Sequence, residues 1–168
     1  MRPLSLAERR LYRLDEPCDL WKSLRDLGLR LVTVNGAFGI LHYGHICFLE
    51  EAKKQGDVLI VGVNSDASYR LHKDARGPIV GQHDRGATLL ALRAVDYVVT
   101  FDETTPIRLL RVVVPHVHVN GIEYGEDCVE ADVVREIGAR LHVVARSPRR
   151  STSALVRRIV HRHLRQRG

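Results

Sequence analysis

Apolar runs of four to six residues alternate with longer amphipathic stretches along most of the chain. The run VLIVGV at residues 58–63 is apolar at nearly every position, which is typical of a parallel strand covered on both faces. The pattern predicts strands over residues 31–34, 58–63, 96–101, 116–120 and 140–145. It predicts helices over residues 44–55, 66–72, 83–94, 105–112, 127–138 and 152–165. This alternation predicts a doubly wound, Rossmann-like α/β fold in three layers, with about five parallel strands.

The first 30 residues have a weaker pattern. Residues 18–29 predict a helix that packs on the edge of the sheet, whereas residues 1–15 show little periodicity. We therefore expect an N-terminal extension with an edge helix over residues 1–30 and one functional domain over residues 31–168. A chain of 168 residues suits a single compact unit of this kind.

Composition and charge narrow the class of protein. No run of about 18 apolar residues is present, and the charged N-terminus lacks the apolar core of a secretory signal, so we expect a cytoplasmic protein without membrane spans. The net charge of +6 comes from residues 145–168, which contain eight arginines and no acid; without them the charge is −2. Aromatic residues are only 5% of the chain, so this terminal basicity does not predict a nucleic-acid-binding face.

The stretch NGAFGILHYGH, which begins at Asn35, carries the clearest chemistry. It follows the first predicted strand of the functional domain, at the edge of the sheet where doubly wound folds bind ligands. Asn35 and Gly36 favour a sharp turn, and Gly44 lets another group approach the backbone. The start of a helix offers free N–H donors and about half a positive charge, which favours phosphate. His42 and His45, three residues apart on the first turn, face the same way.

The residues alone leave three interpretations of the two histidines. They form a clamp for phosphate that stabilises charge in a transition state, or they bind zinc, or they pack in the core. A zinc site needs three or four ligands, and Cys47 would lie on a different face of the helix from His45. The residues therefore favour the phosphate clamp.

The motif resembles the HxGH signature of the nucleotidyltransferase superfamily, usually written FDxxHxGH. Further segments resemble successive blocks of the bacterial heptose 1-phosphate adenylyltransferase domain: GDVLIVGVNSDASYRLHKDARGPI, DRGATLLALRAVDYVVTFDETTPIRLL and PHVHVNGIEYGED. The segment RSPRRSTSALVRRI resembles the closing RTxGxSTTxLIxxI block shared with glycerol-phosphate cytidylyltransferases. The resemblance covers residues 31–160.

The resemblance implies transfer of AMP from ATP to a sugar 1-phosphate, first of all a heptose 1-phosphate, giving an ADP-sugar and pyrophosphate. It implies in-line attack without a covalent intermediate, a homodimer, and Mg²⁺ held by substrate oxygens and water rather than by a metal site of the protein. Two alternatives stay open. One is a cytidylyltransferase acting on a polyol or other small phosphate, and the other is a catalytically weakened nucleotide-binding module.

The same resemblance, together with positions at strand ends, assigns candidate site residues. The catalytic candidates are His42 and His45. The nucleotide- and phosphate-binding candidates are Asn35, Gly36, Ala37, Phe38, Gly44, Arg85, Asn120, Gly121, Arg146, Ser151, Thr152 and Ser153. The substrate-binding candidates are Asn64, Asp66, Lys73, Arg76, Glu123 and Tyr124. Plainer explanations exist for some of them, since serine and threonine are ordinary helix caps and asparagine and aspartate suit turns.

The sequence departs from the family pattern at several positions. Gly39 stands where the family has aspartate, and Asn120 stands where it has lysine or arginine. Arg76 is displaced by one position in one of two plausible alignments, and Arg149 and Arg150 replace a small pair before the serines. Because both histidines, the glycine between them and the serine cluster are retained, we favour a working enzyme.

Overall fold

The computed structural model describes residues 10–16, 18–122, 124–125, 127–145 and 152–165. The strands are β1 (Leu11–Arg13), β2 (Leu31–Gly36), β3 (Val58–Asn64), β4 (Tyr97–Phe101), β5 (Val117–Gly121) and β6 (Arg140–Val144). The helices are α1 (Leu20–Asp26), α2 (Tyr43–Lys53), α3 (Asp66–His72), α4 (Gln82–Leu90), α5 (Ile107–Val113), α6 (Ala131–Glu136) and α7 (Thr152–Arg165). Within the described ranges, none of the helices has both the length and the apolar character needed to cross a membrane.

The six strands form one sheet in the order β1-β4-β3-β2-β5-β6, and every neighbouring pair is parallel. This arrangement confirms the predicted doubly wound α/β fold. After β2 the chain continues to β3 on one side of the sheet, and it later returns to β5 on the other side. The carboxyl end of β2 therefore lies at the switch point, where open α/β sheets bind ligands.

The core explains why the central strands are apolar on both faces. All seven residues of β3 are buried. Leu59, Val61 and Val63 belong to the apolar cluster that includes residues of α2 and α4. Val58 and Ile60 belong to the cluster that includes residues of α1 and α5. The sheet is thus covered by helices on both faces, which gives the predicted three layers.

The sheet has one strand more than the sequence predicts. Strand β1 lies in the weakly periodic first segment and pairs with β4, with Leu11 opposite Val98. Its three residues are too few to show a hydrophobic period. Arg10 fixes the strand from outside the sheet, because its guanidinium donates to the carbonyl oxygens of Leu90 and Asp96 at 3.1 and 3.2 Å.

Helix α1 packs on this edge of the sheet, as predicted. Trp21 is 2% exposed and lies edge-on to Tyr12 and Tyr97, with ring centroids 5.5 Å away in each case. Helix α6 is shorter than predicted, since it begins at Ala131 rather than near residue 127. Gly138, with a φ of +72°, follows its last turn and directs the chain into β6.

Candidate functional site

A cavity of about 700 Å³ opens at the carboxyl ends of β2, β5 and β6 and is bounded by α2 and the start of α7. Twelve of the predicted site residues line it. They are Asn35, Gly36, Ala37, Phe38, His42, Gly44, His45, Lys73, Asn120, Gly121, Tyr124 and Thr152. The fold therefore brings together residues that lie up to 117 positions apart in the sequence, at the edge where the strand order predicts a site.

The turn between β2 and α2 shapes the floor of the cavity. Phe38 adopts a left-handed backbone conformation with a φ of +46°, which is uncommon for a residue with a side chain. Its ring lies so close to Gly36 that a Cβ atom there would be 3.2 Å from the Phe38 Cε2. His42 precedes α2 in an extended conformation, and its carbonyl accepts from the His45 N–H at 2.9 Å.

The two histidines form a stacked pair. The rings of His42 and His45 have centroids 3.8 Å apart and planes that differ by 16°. Phe38 also contacts the His45 ring edge-on, with centroids 5.3 Å apart. Burial lowers the pKa of His45 to about 4, and nearby His42 and Lys73 contribute to the same effect. At neutral pH His45 is therefore an uncharged donor and acceptor, in a place where a bound anion would favour its protonation.

Lys73 brings a positive charge to the same cavity. It follows the last residue of α3, and its ammonium lies 5.9 Å from the centre of the Tyr69 ring. Burial lowers its pKa from the usual lysine value, and the charge of Arg85 adds to this shift. A partly desolvated ammonium near two imidazoles favours a ligand that carries negative charge.

Arg85 does not line the cavity. The residue is 2% exposed, and its guanidinium donates to the carbonyl oxygens of Val80, Asn64 and Ala37 and to the carboxylate of Asp66. The Asp66 contact is 2.8 Å long. Arg85 thus stabilises the segments that form the cavity wall, and its side chain does not point into the cavity.

The other predicted residues fall into three groups. Asn64 and Asp66 belong to this supporting wall, and the Asn64 amide donates to the Ser68 hydroxyl at 3.0 Å. Arg76 is exposed and pairs with Asp74 outside the cavity. The remaining predictions, on Glu123, Arg146, Ser151 and the side chain of Ser153, lie outside the described residues.

Several cavity residues were not predicted. Cys47, Phe48 and Glu51 line it from α2, and they follow Gly44 at intervals of three, four and seven residues. This helical spacing was a usable signal for them. Four consecutive residues, His142, Val143, Val144 and Ala145, line the cavity at the end of β6. No spacing in the sequence relates these four residues to the motif, because the sequence alone does not show which strands are neighbours.

The described residues also bear on the zinc interpretation. No group of three or more histidine, cysteine, aspartate or glutamate side chains in that part of the chain is arranged to hold a metal ion. The two imidazoles lie face to face, so the contact between them is ring stacking.

Comparison with known proteins identifies the family. A family model described as cytidylyltransferase-like matches residues 33–163, which include every lining residue of the cavity. The chain belongs to the cytidylyltransferase-like family. This confirms the resemblance found in the sequence, and it places the stacked histidines and the cavity inside the family domain.

Individual relatives agree with this family. The chain is 44% identical over 154 residues to the bifunctional protein HldE of Wolinella succinogenes, covering 91% of this chain and 32% of that protein. It is 40% identical over 154 residues to the HldE protein of Geotalea uraniireducens, covering 91% and 31%. The chain thus spans about a third of the length of these relatives.

A solved structure also resembles the cytidylyltransferase-like domain. The lipopolysaccharide core biosynthesis protein from Thermoplasma volcanium GSS1 is 31% identical, with a TM-score of 0.59. The match covers 73% of this chain and all of that chain.

Proposed function

We propose that this chain is a nucleotidyltransferase that transfers AMP from ATP to a sugar 1-phosphate, giving an ADP-sugar and pyrophosphate. The observation that carries the proposal is the stacked His42–His45 pair at the start of α2, inside a cavity at the switch point of the sheet. Membership of the cytidylyltransferase-like family and the similarity to HldE proteins support nucleotidyl transfer. The cavity volume, about 700 Å³, suits a nucleotide together with part of an acceptor.

The residues of the cavity suggest how the reaction proceeds. A phosphate oxygen of the acceptor attacks the α-phosphorus of ATP in line, and the bond from that phosphorus to the bridging oxygen of pyrophosphate breaks. His42 and His45 donate hydrogen bonds to the phosphate oxygens on which charge develops, and the Lys73 ammonium adds a positive charge. The protein thus contributes position and electrostatic stabilisation, and no covalent intermediate with it is needed.

A magnesium ion is part of the proposal, as a companion of the triphosphate. Among the described residues that line the cavity there is one carboxylate, Glu51, and the other side chains are neutral or positive. This set fits an ion that is held by phosphate oxygens and water, as Mg²⁺ prefers. When bound, the ion neutralises part of the phosphate charge.

The identity of the acceptor is the most specific part of the proposal. The blocks VNSD, AVDYVV and DETTPIRLL resemble the heptose branch, which favours a heptose 1-phosphate over glycerol phosphate. The cytidylyltransferase-like family nevertheless makes CTP the competing nucleotide. The closing block, which resembles that of glycerol-phosphate cytidylyltransferases, makes a polyol phosphate the competing acceptor. We also propose a homodimer, as the sequence resemblance implies, and a cytoplasmic location, as the composition of the chain predicts.

A thermal-shift screen with magnesium and ATP, CTP, GTP or UTP tests the nucleotide, and pyrophosphate release with heptose 1-phosphate tests the reaction. We expect the largest stabilisation with ATP, and pyrophosphate only when both substrates are present. Inorganic tripolyphosphate is the matched control for binding through phosphate alone. Strongest stabilisation by CTP would overturn the assignment of ATP, and nucleotide binding without pyrophosphate release would favour the catalytically weakened module.

A further inference from the structure

A row of buried polar side chains crosses the sheet from β2 to the start of α6. The Thr33 hydroxyl lies 2.9 Å from the His118 Nδ1, and both residues are fully buried. On the other side of the ring, the His118 Nε2 lies 3.9 Å from a carboxylate oxygen of Glu130. The Glu130 side chain is only 5% exposed. The proposed reaction uses none of these three residues.

Asn120 connects this row to the cavity. It lies two residues after His118 on β5, so the two side chains share one face of the sheet. Asn120 is 4% exposed and lines the cavity. Its amide nitrogen and the Glu130 Oε2 are both fully buried, and neither makes a hydrogen bond of ordinary geometry within the described residues. The nitrogen end of the amide is thus closed to solvent, so the oxygen is the end through which Asn120 can meet a ligand in the cavity.

The charge of Glu130 explains this orientation. Burial acts to raise the pKa of the Glu130 carboxyl, but His118, the backbone and Asn120 together hold it below its usual value. Burial and the charge of Glu130 both raise the pKa of the neighbouring Cys128 thiol, so that thiol stays neutral. A buried carboxylate attracts the amide NH₂ group and repels the amide oxygen.

We propose that Asn120 accepts a hydrogen bond from a hydroxyl group of the substrate, and that Glu130 is the positioning residue that turns the Asn120 oxygen toward it. The chemistry follows from the acceptor oxygen and the carboxylate behind it, because both disfavour phosphate and favour a hydrogen-bond donor. The ribose of the nucleotide and the acceptor sugar both carry such hydroxyls. This proposal rests on the proposed function, and it explains why an uncharged residue stands where the family has lysine or arginine.

The test measures the affinity of Asn120→Ala for ATP, 2′-deoxy-ATP, 3′-deoxy-ATP and inorganic tripolyphosphate by titration calorimetry, and the KM for heptose 1-phosphate. If the hydroxyl belongs to the ribose, we expect about 5- to 10-fold weaker binding of ATP, as for one lost hydrogen bond. Binding of one deoxy analogue and of tripolyphosphate should be unchanged. If the hydroxyl belongs to the acceptor, only the KM for heptose 1-phosphate should rise. Equally weaker binding of ATP and tripolyphosphate, or unchanged affinity for every probe together with an unchanged KM, would overturn the proposal.

The positioning role of Glu130 needs a second comparison. Glu130→Gln should weaken binding of the same ligand as Asn120→Ala does. The double variant should bind that ligand no more weakly than either single variant. Glu130→Asp keeps the charge and should restore part of the loss. Glu136→Gln, at the exposed end of the same helix, is the matched control and should change nothing. Additive effects of the two single variants would contradict the positioning role, and Asn120→Ala tests the contact even if Glu130→Gln does not fold.

These outcomes separate the inference from the proposed function. A wild-type protein that binds none of the nucleotides contradicts the proposed function. If the wild-type protein binds ATP, but the variants lose affinity for tripolyphosphate as much as for ATP, only the assignment of a hydroxyl to Asn120 is contradicted.

Discussion

At the scale of single residues, His45 is the side chain on which the proposed chemistry depends most. It stacks on His42 inside the cavity. His45→Ala should reduce turnover on the order of 10²–10³-fold, which corresponds to about 3 kcal/mol of lost transition-state stabilisation. His83→Ala is the control, because that side chain is 66% exposed on α4 and lies outside the cavity. Wild-type turnover in His45→Ala would show that the histidine pair is not the phosphate clamp.

The lowered pKa of His45 predicts how stability depends on pH. The pKa falls from 6.5 to about 4 on folding, so the unfolded chain binds more protons than the folded chain between these values. The contribution of neutral His45 is therefore complete above pH 6.5 and is lost as the pH falls toward 4. Urea denaturation at pH 7 and pH 5 should show a smaller loss of stability in His45→Gln than in the wild type. An equal loss in both proteins would mean that another group causes the pH dependence.

Gly39 marks the clearest departure from the family motif. Among the described residues, a Cβ atom at this position would meet only the Tyr69 side chain, at an ordinary distance of 3.6 Å, so the fold should tolerate Gly39→Asp. We expect no gain in turnover from this variant, because a new carboxylate would repel the acceptor phosphate. Gly39→Asn is the uncharged control. Higher turnover of heptose 1-phosphate in Gly39→Asp would instead indicate that the loss of the aspartate weakened the enzyme.

At the scale of structural elements, Arg85 links α4 to the turn after β2, the end of β3 and the start of α3. Its side chain is 1% exposed, so removing the charge leaves Asp66 and three carbonyl groups without their donor. Arg85→Gln should lower the free energy of unfolding by about 3 kcal/mol. Arg108→Gln, which breaks an exposed pair with Glu103, should cost at most about 1 kcal/mol.

Denaturation midpoints and the KM for ATP, measured on both arginine variants, distinguish the two roles of Arg85. A large loss of ATP affinity with unchanged stability would support the phosphate-binding role that the sequence resemblance implies. A large loss of stability, with only a small loss of ATP affinity caused by the less stable cavity wall, would support the structural role.

The elements also show how far the sequence could be interpreted. The five longer strands and the cavity residues of the β2–α2 turn could be predicted, because apolar runs and turn-forming residues are local signals. Strand β1 could not, since its three residues carry no period and its place depends on β4. The orientation of Arg85 and the wall formed by β6 depend on which segments are neighbours in space, and local patterns do not contain that information.

At the scale of the whole molecule, we expect a homodimer. Leu71 and Ile79 are 76% and 80% exposed, and contact with a second copy would remove such apolar side chains from water. Sedimentation velocity at micromolar concentration should give about twice the chain mass of 19.0 kDa. A single species at the chain mass over a range of concentrations would contradict the dimer.

The pairing of β1 with β4 has a consequence for the timing of folding during synthesis. Arg10, which fixes β1, contacts the carbonyl of a residue that lies 85 positions later in the chain. At about 5–20 residues per second, the ribosome needs roughly 4 to 17 seconds to make that partner after β1 has been made. During this interval β1 has no native strand to pair with, while β2 and β3 can already join. Strand β1 therefore cannot enter the sheet before β4 has been made, although it precedes β2 and β3 in the chain.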